Sequence, residues 1–369
     1  MQDPEALPSY PRCDIRVGAG PLTRAVERRL APRYGWNLEV LQGQEPVFPG
    51  SRIGGEYRVL NPALYFLRRA TRRPSTIDSL RITEWLRFGN SVRQLTHLFA
   101  LAERWGVRRL CLPSEHLLYR GRPADALTIT YGASRGASDL GLSGYFLHPR
   151  ALMSPLDAVT EHRVLEDYVR PLLSPDLLRP DPRVGEDDLV MHFRGGDAFD
   201  TVDTRRGYWQ PPLAYYLAAW ERERAPRVWL VFEDRRNPTI AAAEQALRSR
   251  GIEVHIQSGS LVEDLRVLLT ARRLVASIGT FLPAIAMLST RTAAFYHFSP
   301  NPYRALAAKG IQLLDVLDMG GTFMSSVAAD WGARPEQLAM MVGYPVSSLR
   351  MEAAEVGPTI RDDSVGPSL

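Results

Sequence analysis

Two spacings of apolar residues alternate along the second half of the chain. Continuous apolar runs are typical of buried strands, and apolar residues that recur at i, i+3 and i+4 are typical of helices. The predicted strands are 189–194, 228–232, 252–256, 274–277 and 293–298, and the predicted helices are 212–222, 238–250, 260–272 and 281–288. Strands that alternate with helices predict an α/β fold whose parallel sheet has right-handed crossovers.

The first half of the chain follows the same plan less regularly. Residues 80–86 and 107–112 predict two strands, joined by a helix that ends at Gly106. Further strand candidates are 126–131 and 144–147, and 156–173 is a predicted helix. The predicted regions are an N-terminal region 1–79 of unclear structure packed on the first domain, a first domain 80–180, a second domain 181–345 and a C-terminal tail 346–369.

Charge and cysteine content exclude several classes of protein. The 45 basic and 41 acidic side chains leave a formal net charge of +4, which is too close to balance to indicate a nucleic-acid partner. The basic run at residues 68–73 fits a solvated helix face or, alternatively, a contact with phosphate or nucleic acid. Cys13 and Cys111 lie too far apart in sequence to indicate a metal site or a disulfide framework.

Membrane insertion is not expected. Every long apolar stretch is interrupted by charge well before the ~20 residues that a membrane-spanning helix needs. Residues 1–8 are acidic and contain no apolar leader. We therefore expect no integral membrane segment and a cytoplasmic location. The chain uses arginine almost to the exclusion of lysine, with Lys309 as the exception, which is typical of a GC-rich bacterial genome.

The sharpest motif ends the first strand of the second domain. It reads Val-Met-His-Phe-Arg-Gly-Gly-Asp and brings His192, Arg194 and Asp197 to the carboxyl end of the strand, where ligands bind in parallel sheets. His192 and Arg194 are two positions apart, so a strand directs both to one face. Two groups that can be cationic, beside two glycines that allow close approach, predict a diphosphate site. The alternative interpretation is an ordinary strand turn with a surface pair of Arg194 and Asp197.

A second motif joins a later strand to a helix. From residue 276 it reads Ala-Ser-Ile-Gly-Thr-Phe-Leu-Pro, and Thr280 is the expected N-cap of the helix. A helix N-terminus with the hydroxyls of Ser277 and Thr280 beside it predicts an anion site. The alternative is that Thr280 only caps the helix.

Two further segments carry candidate side chains. Glu263 and Asp264 lie in the first turn of a predicted helix. A carboxylate can accept two hydrogen bonds from the guanine edge, although acids in a first turn also simply stabilise the helix dipole. Arg-Phe-Gly-Asn at 87–90 follows a predicted strand, with Asn90 and Gln94 on one face of the helix it opens. The alternative is a glycine turn with Asn90 as the cap.

In this order the segments resemble the GDP-fucose-dependent fucosyltransferase superfamily, which contains α1,2-, α1,6- and protein O-fucosyltransferases. The shared features are the Arg-Phe-Gly-Asn turn, the central His-x-Arg-x-x-Asp after a strand, and a helical acid followed by a Ser/Thr-Phe turn. The agreement runs from about residue 80 to residue 298. The resemblance implies a GT-B fold, with two Rossmann-like domains facing a cleft, the acceptor on the first domain and the nucleotide sugar on the second.

The resemblance implies a role for each residue of the central motif. Arg194 would contact the β-phosphate of GDP and act in catalysis, His192 would hydrogen-bond the phosphates of the donor, and Asp197 would fix the loop. Inversion at the anomeric carbon calls for a base that takes the acceptor's proton. Asp200 and Asp203, which follow this loop, are the candidates, and solvated loop acids are the alternative.

The other residues implied to hold the donor come from separate segments. They are Asp264 at the guanine, Ser277, Thr280 and Phe281 at the phosphates, and Phe88, Gly89 and Asn90 from across the cleft. The sequence contains no Asp-x-Asp motif of the kind that holds a metal diphosphate. Transfer without a metal or a cofactor is therefore expected, with arginine and a helix N-terminus neutralising the leaving group.

Departures from the superfamily leave the donor and acceptor open. Gly195 stands where many members have a second basic residue, and residues 1–79 contain no motif of the superfamily. The donor sugar could be a GDP-hexose other than fucose, and the acceptor a glycan, a peptide or a small molecule. Two alternatives are a GT-B transferase with another nucleotide sugar, of the heptosyl- or mannosyltransferase kind, and a non-catalytic protein that binds nucleotides or glycans.

Overall fold

The computed structural model describes residues 36–40, 79–82, 84–121, 127–132, 140–144, 146–147, 156–199, 208–299 and 304–354. The chain divides into two compact units. Unit 1 comprises Met1–Leu156 and Asp167–Leu172, and unit 2 comprises Asp157–Glu166 and Leu173–Leu369. The predicted domain boundary between residues 180 and 181 therefore lies inside unit 2.

The described part of unit 1 is built on a five-stranded sheet. Its strands are β1 (Trp36–Val40), β2 (Ser79–Ile82), β3 (Arg109–Leu112), β4 (Thr128–Tyr131) and β5 (Leu140–Gly144), in the order β1-β5-β2-β3-β4. β2 to β5 run parallel, and β1 is antiparallel to β5. Because β3 and β4 lie on one side of β2 and β5 on the other, the winding of the sheet reverses between β2 and β5.

Helix α1 (Phe88–Trp105) connects β2 to β3 in unit 1. Its buried side chains recur at helical spacing, with Leu95, Leu98 and Phe99 almost fully covered. Gly106 ends the helix in the left-handed conformation at φ 62°, which confirms the stop predicted there.

The segment near the end of the predicted first domain is helical. It contains α2 (Ala158–Val164), a π-helical stretch (Leu165–Val169) and α3 (Arg170–Leu172), in agreement with the helix predicted over 156–173. Asp157 caps α2, because its side chain accepts a hydrogen bond of 2.9 Å from the backbone N–H of Thr160.

The sheet of unit 2 has seven strands among the described residues. They are β6 (Leu189–Phe193), β7 (Arg227–Phe232), β8 (Glu253–Gln257), β9 (Arg273–Val275), β10 (Ala294–Phe298), β11 (Gln312–Asp318) and β12 (Leu349–Ala353), in the order β12-β11-β10-β9-β6-β7-β8. All are parallel except β12, which is antiparallel to β11. The six parallel strands therefore have the doubly wound order of a Rossmann sheet, and the winding reverses between β6 and β9.

Helices connect the strands of unit 2. They are α4 (Leu213–Glu223), α5 (Pro238–Arg248), α6 (Leu261–Thr270), α7 (Phe281–Leu288), α8 (Arg304–Ala308) and α9 (Pro335–Gly343). Three shorter turns are a 3-10 turn (Gly196–Phe199), a π-helical turn (Met324–Ala328) and a second 3-10 turn (Val346–Ser348). The core contains many fully buried aromatic rings, among them Tyr215, Tyr216 and Phe298.

Lys309, the one lysine of the sequence, is a structural residue of unit 2. Lys309 Nζ lies 2.9 Å from Glu166 Oε1 and also donates to the carbonyl of Met287, and its side chain is 10% exposed. These contacts join the end of α8 to α7 and to the segment after α2. The position of Lys309 is therefore explained by packing.

Several predicted boundaries need correction. The strand predicted over 144–147 is replaced by β5, which ends at Gly144, because the backbone pairs with β1 over Leu140–Gly144 and with β2 over its last four residues. β6 ends at Phe193, so Arg194 lies in the following loop rather than in the strand. The pattern did not predict β11, β12, α8 or α9, and β12 lies within the segment 346–369 that was expected to be a tail. No helix among the described residues is long and apolar enough to cross a membrane.

Candidate functional site

The carboxyl ends of β6 and β9 are neighbours in the sheet of unit 2. β7 and β8 extend the sheet on one side of this pair, and β10 and β11 on the other. In an open parallel sheet, ligands bind in the crevice that forms at such a reversal. Motif 192–197 spans the end of β6 and the loop after it, and motif 276–283 spans the loop after β9 and the start of the next helix, so the fold brings the two motifs together.

The guanidinium of Arg194 is held by three groups. Its Nη2 donates to Oδ1 of Asp197 (3.2 Å), and its Nη1 donates to the carbonyl of Ile278 (3.4 Å) in the loop after β9. The ring of Tyr208 lies with its centroid 4.4 Å from Cζ. The side chain is 21% exposed. A planar cation with several fixed contacts and partial access to solvent is suited to bind a phosphate with two parallel hydrogen bonds.

The loop that carries Arg194 is fixed by the segment after β7. Oδ2 of Asp234 accepts a hydrogen bond from the backbone N–H of Gly196 (3.0 Å), and the side-chain amide of Asn237 donates to the carbonyl of Arg194 (3.2 Å). A Cβ at Gly195 would overlap the carboxylate of Asp234. The first glycine of the pair is therefore favoured by close packing against the segment after β7, and a larger residue would displace either the loop or the side chain of Asp234.

His192 is buried beside the same loop. Its Nδ1 lies 2.6 Å from the hydroxyl of Ser277, and its ring centroid lies 5.1 Å from that of Phe281. Burial lowers the pKa of His192 to about 3, and the neighbouring cation of Arg194 contributes to the lowering. The ring is therefore neutral near neutral pH. Of the two groups that the sequence predicted as possible cations, Arg194 alone is charged in this structure.

Buried side chains of unit 2 also fix the loop after β9. Gln210, which is fully buried, accepts from the N–H of Ile278 (3.3 Å) and donates to the carbonyl of Tyr208 (3.0 Å). The hydroxyl of Tyr215 donates to the carbonyl of Ala276 (2.9 Å). Gln210 therefore connects the loop after β9, which contacts Arg194, to Tyr208, whose ring packs on the same arginine.

Helix α7 begins directly after this loop. Its first turn contains no acidic residue, whereas the first turn of α6 contains Glu263 and Asp264. The positive end of the α7 dipole is therefore not offset by an acid of its own first turn. Gly279 precedes it at φ 139°, and a Cβ there would lie 3.1 Å from Nη1 of Arg194. Arg194 therefore packs against the loop that leads into α7.

Thr280 occupies the N-cap position of α7, but not in the way that was predicted. Its backbone is in the right-handed helical region (φ −85°, ψ −9°), and its side chain makes no capping hydrogen bond. The prediction that its hydroxyl caps the helix is wrong, because an N-cap side chain reaches the N–H groups from an extended backbone.

Asp264 lies in the first turn of α6, after β8. Its Oδ1 accepts from the side-chain amide of Gln257 (2.9 Å) and the N–H of Gly259 (3.2 Å). Burial raises the pKa of Asp264, and these two hydrogen bonds oppose the shift. β8 is the second strand from β6, which corresponds to about 10 Å at ~4.8 Å per strand. Asp264 and Arg194 therefore suit two different parts of one extended ligand.

Phe88, Gly89 and Asn90 lie in unit 1, in the first turn of α1 after β2. Phe88 and Gly89 are buried, and Asn90 is half-buried. The hydroxyl of Ser91 accepts from the N–H of Leu86 (2.9 Å) and donates to its carbonyl (2.7 Å), which fixes the turn. The expected contact of Phe88, Gly89 and Asn90 with the donor stays a prediction.

Asp200 and Asp203 lie outside the described residues. Sequence reasoning missed three residues that position Arg194: Tyr208, Gln210 and Asp234. Asp234 could have been suspected, because it closely follows the strand predicted over 228–232, at the edge where ligands bind in parallel sheets. Tyr208 and Gln210 precede a helix without any local pattern, and only the tertiary fold shows their role.

A cavity of about 360 Å³ lies at the opposite edge of the same sheet, at the amino ends of β9, β10 and β11. Its charges are paired with one another: Arg272 with Glu186 (3.0 Å) and Arg273 with both Asp187 (3.0 Å) and Glu223 (3.3 Å). Among the described residues, no group of three or more His, Cys, Asp or Glu side chains could hold a metal ion. The reversal between β6 and β9 is therefore the candidate site of unit 2.

The sequence matches no protein-family model and no curated protein. Two solved structures are similar to the chain. A crystal structure of POFUT1 in complex with GDP is 11% identical, with 60% of this chain and 99% of that chain covered and a TM-score of 0.38. A crystal structure of POFUT1 in complex with GDP-fucose is 13% identical, with 59% and 96% covered and a TM-score of 0.36.

Proposed function

We propose that the protein is a glycosyltransferase that moves a sugar from a nucleoside diphosphate sugar to a hydroxyl acceptor. The observation that carries the proposal is the position of Arg194, a partly exposed guanidinium that is fixed at the reversal of a doubly wound sheet. The order of the motifs along the chain favours GDP-fucose as the donor and a GT-B arrangement of two Rossmann-like units. The acceptor belongs to the class of glycans, peptides or small metabolites.

The proposed reaction breaks the bond between the anomeric carbon and the β-phosphate oxygen while the acceptor oxygen attacks the opposite face. The bonding electrons leave with the diphosphate, so negative charge grows on the β-phosphate as the bond breaks. Arg194 would receive that charge through two parallel hydrogen bonds, and the positive end of α7 would add to it. Both groups are held before the reaction begins, so they need little reorganisation during it.

His192 would serve this site as a neutral group. With its pKa lowered to about 3 by burial and by Arg194, the imidazole offers one N–H donor and one acceptor. Ser277 fixes one of its nitrogens at 2.6 Å. The ring would therefore orient the donor phosphates by hydrogen bonding without adding charge.

The proton of the acceptor hydroxyl must pass to a base during inversion. Asp200 and Asp203 follow the Arg194 loop in sequence and remain the proposed bases, with Asp200 placed first. An activity profile that loses its acidic limb in Asp200→Asn and keeps it in Asp203→Asn would assign the base.

Asp264 would contact the guanine. Its Oδ1 is already bonded to Gln257 and Gly259, which holds the carboxylate in one orientation. The same occupied oxygen favours a second candidate function, a transferase whose nucleotide carries a base other than guanine. The experiment therefore compares nucleotides that carry different nucleobases.

The experiment is a thermal-denaturation panel with GDP, UDP, ADP and CMP, followed by assays of GDP release from GDP-sugars. A nucleotide at 100 times its Kd stabilises the native state by about 2.7 kcal/mol, which raises Tm by about 5–10 °C. We expect this shift with GDP and not with CMP. A Tm shift with UDP or ADP alone would mean that the donor carries uracil or adenine instead of guanine. The absence of a Tm shift with every diphosphate would contradict the proposal.

A further inference from the structure

We propose that Glu233 binds the ribose hydroxyls of the nucleotide, so that the site selects ribonucleoside diphosphates over their deoxy forms. This inference rests on the proposed function, because it names a further contact in the same nucleotide site. The carboxylate directly follows β7, the strand beside β6, just as Arg194 directly follows β6. Both side chains therefore leave the same edge of the sheet one strand apart.

The carboxylate of Glu233 lies against the loop that carries Arg194. A Cβ at Gly196 would lie 3.0 Å from Oε2 of Glu233 and 3.6 Å from its Cδ. Gly196 is in the left-handed region at φ 56°, two residues after Arg194. The carboxylate therefore lies beside the glycine loop, next to the place where the phosphates are proposed to bind. Glu233 is exposed.

The two acids after β7 have separate tasks. Asp234 turns toward the loop backbone, where it accepts from the N–H of Gly196 (3.0 Å), and it also accepts from the N–H of Arg236 (2.9 Å). It is a structural acid of the loop. Oε2 of Glu233 lies 3.0 Å from the position that a Cβ on the same glycine would take, so its carboxylate is next to the loop that carries Arg194.

The chemistry of a carboxylate selects the sugar part of the nucleotide. An ionised carboxylate is an acceptor with two oxygens, and adjacent ribose hydroxyls are two donors. The same charge repels phosphate oxygens, so Glu233 cannot be a phosphate contact. In doubly wound nucleotide-binding sheets an acid after the second strand of the first half commonly bonds the ribose hydroxyl, and β7 is the second strand here.

The order of strands matches the order of groups in the ligand. From β9 to β8 the carboxyl edge presents the start of α7, then Arg194, then Glu233, then Asp264. At ~4.8 Å per strand, the steps place a diphosphate at β9 and β6, a ribose at β7 and a base at β8. A nucleoside diphosphate has its three parts in this order.

The test is calorimetric titration of the full chain with GDP, 2′-deoxy-GDP and 3′-deoxy-GDP. The variants are Glu233→Gln and Glu233→Ala, with Glu336→Gln on the exposed start of α9 as the matched control. Tm of each unliganded variant is measured to show that it folds. For the wild type we expect at least one deoxy form to bind about tenfold more weakly than GDP, which is the size of one lost hydrogen bond to a charged group.

In both Glu233 variants GDP should bind about tenfold more weakly, and the preference for GDP over its deoxy forms should disappear. Glu336→Gln should leave every Kd unchanged. If the variants bind GDP with the wild-type preference, the ribose assignment is overturned while the nucleotide site stands. If the wild type binds none of these ligands and no other nucleoside diphosphate, the proposed function itself is overturned, and the two failures are thereby separate.

Discussion

The sheets of units 1 and 2 share a doubly wound plan but differ in what lies beyond their reversals. In unit 1 the segment after β2 carries Trp85, whose ring stacks on that of Tyr119 at 4.5 Å. In unit 2 the segments after β6 and β9 carry Arg194 and the start of α7. The first segment contributes a stacked aromatic pair beside the exposed Arg87, and the second contributes a fixed guanidinium and a helix N-terminus. The same plan therefore carries different chemistry, which is set by loop residues.

The polar groups described beside the two reversals show the same contrast, whereas elsewhere in unit 2 His162 Nδ1, Arg266 Nε and Arg291 Nε are also buried without a hydrogen-bond partner. Among the described residues of unit 1, Oε1 of Gln94 and the hydroxyl of Tyr119 are buried without a hydrogen-bond partner, and the nearby Ser91 hydroxyl donates to the carbonyl of Leu86 instead. In unit 2, Gln210 and Tyr215 both bond to backbone groups of the site. A site that must hold a charge in one place needs such paired groups, because they fix the loops in advance.

The largest expected effect comes from removing the cation of unit 2. Arg194→Ala should reduce kcat/KM for the GDP-sugar by about 100-fold or more, the size seen when a group that stabilises transition-state charge is removed. Arg194→Lys should restore only part of the activity, because lysine lacks the planar fork. Steady-state kinetics of GDP release measures both. Arg248→Ala, which removes an exposed ion pair on α5, is the control. A loss of tenfold or less in Arg194→Ala would count against the role of the arginine.

The neutral histidine predicts how stability depends on pH. The pKa of His192 is about 3 in the folded protein and about 6.5 when unfolded, so the unfolded state binds the proton between these values. Stability is fully present above the unfolded pKa and is lost as pH falls below it. From pH 7 to pH 5 the wild type should lose about 2 kcal/mol more than His192→Asn. Urea unfolding of both proteins measures this, and since His297 is present in both, its own lowered pKa cancels. Equal losses would show that His192 is not buried as described.

A matched pair of tyrosines tests the contrast in buried polar groups. Tyr215→Phe in unit 2 should lower the free energy of unfolding by about 1–2 kcal/mol, because the carbonyls of Ala276 and Tyr296 lose the hydroxyl that lies within hydrogen-bond distance of both. Tyr119→Phe in unit 1 removes a hydroxyl without a bonded partner and should change it by less than about 0.5 kcal/mol. Denaturant unfolding gives both values. Equal losses of unfolding free energy in the two variants would contradict the contrast between the buried polar groups at the two reversals.

The smallest effect should come from the ring beneath Arg194. Tyr208→Leu should weaken GDP binding by about two- to fivefold, the size of a cation–π contact at a partly exposed site. Tyr208→Phe keeps the ring and should bind GDP as the wild type does. Calorimetric Kd values compare them. If the phenylalanine variant is as weak as the leucine variant, the ring does not position the arginine.

Local pattern was enough to predict much of the fold. In unit 2, the spacing of Ser260 and Glu263 is typical of the capping box that opens α6. In unit 1, Gly106 ends α1 at the predicted stop. The alternation of strands and helices also predicted which loops meet at one edge, because parallel strands share their carboxyl ends.

The rest required tertiary contacts. The neutral state of His192 follows from burial by residues distant in sequence, and Ser277 faces that ring at 2.6 Å. The support of Arg194 by Tyr208 and Gln210 depends on the segment that precedes α4. β12 was hidden because a short antiparallel edge strand with mixed polarity lacks a clear period.

A crystal structure of the full chain with GDP tests the central claim most directly. We expect the β-phosphate within hydrogen-bond distance of the guanidinium of Arg194, beside the first turn of α7, with the ribose toward β7 and the base toward β8. A nucleotide bound elsewhere, with Arg194 still joined only to Asp197, Ile278 and Tyr208, would contradict it.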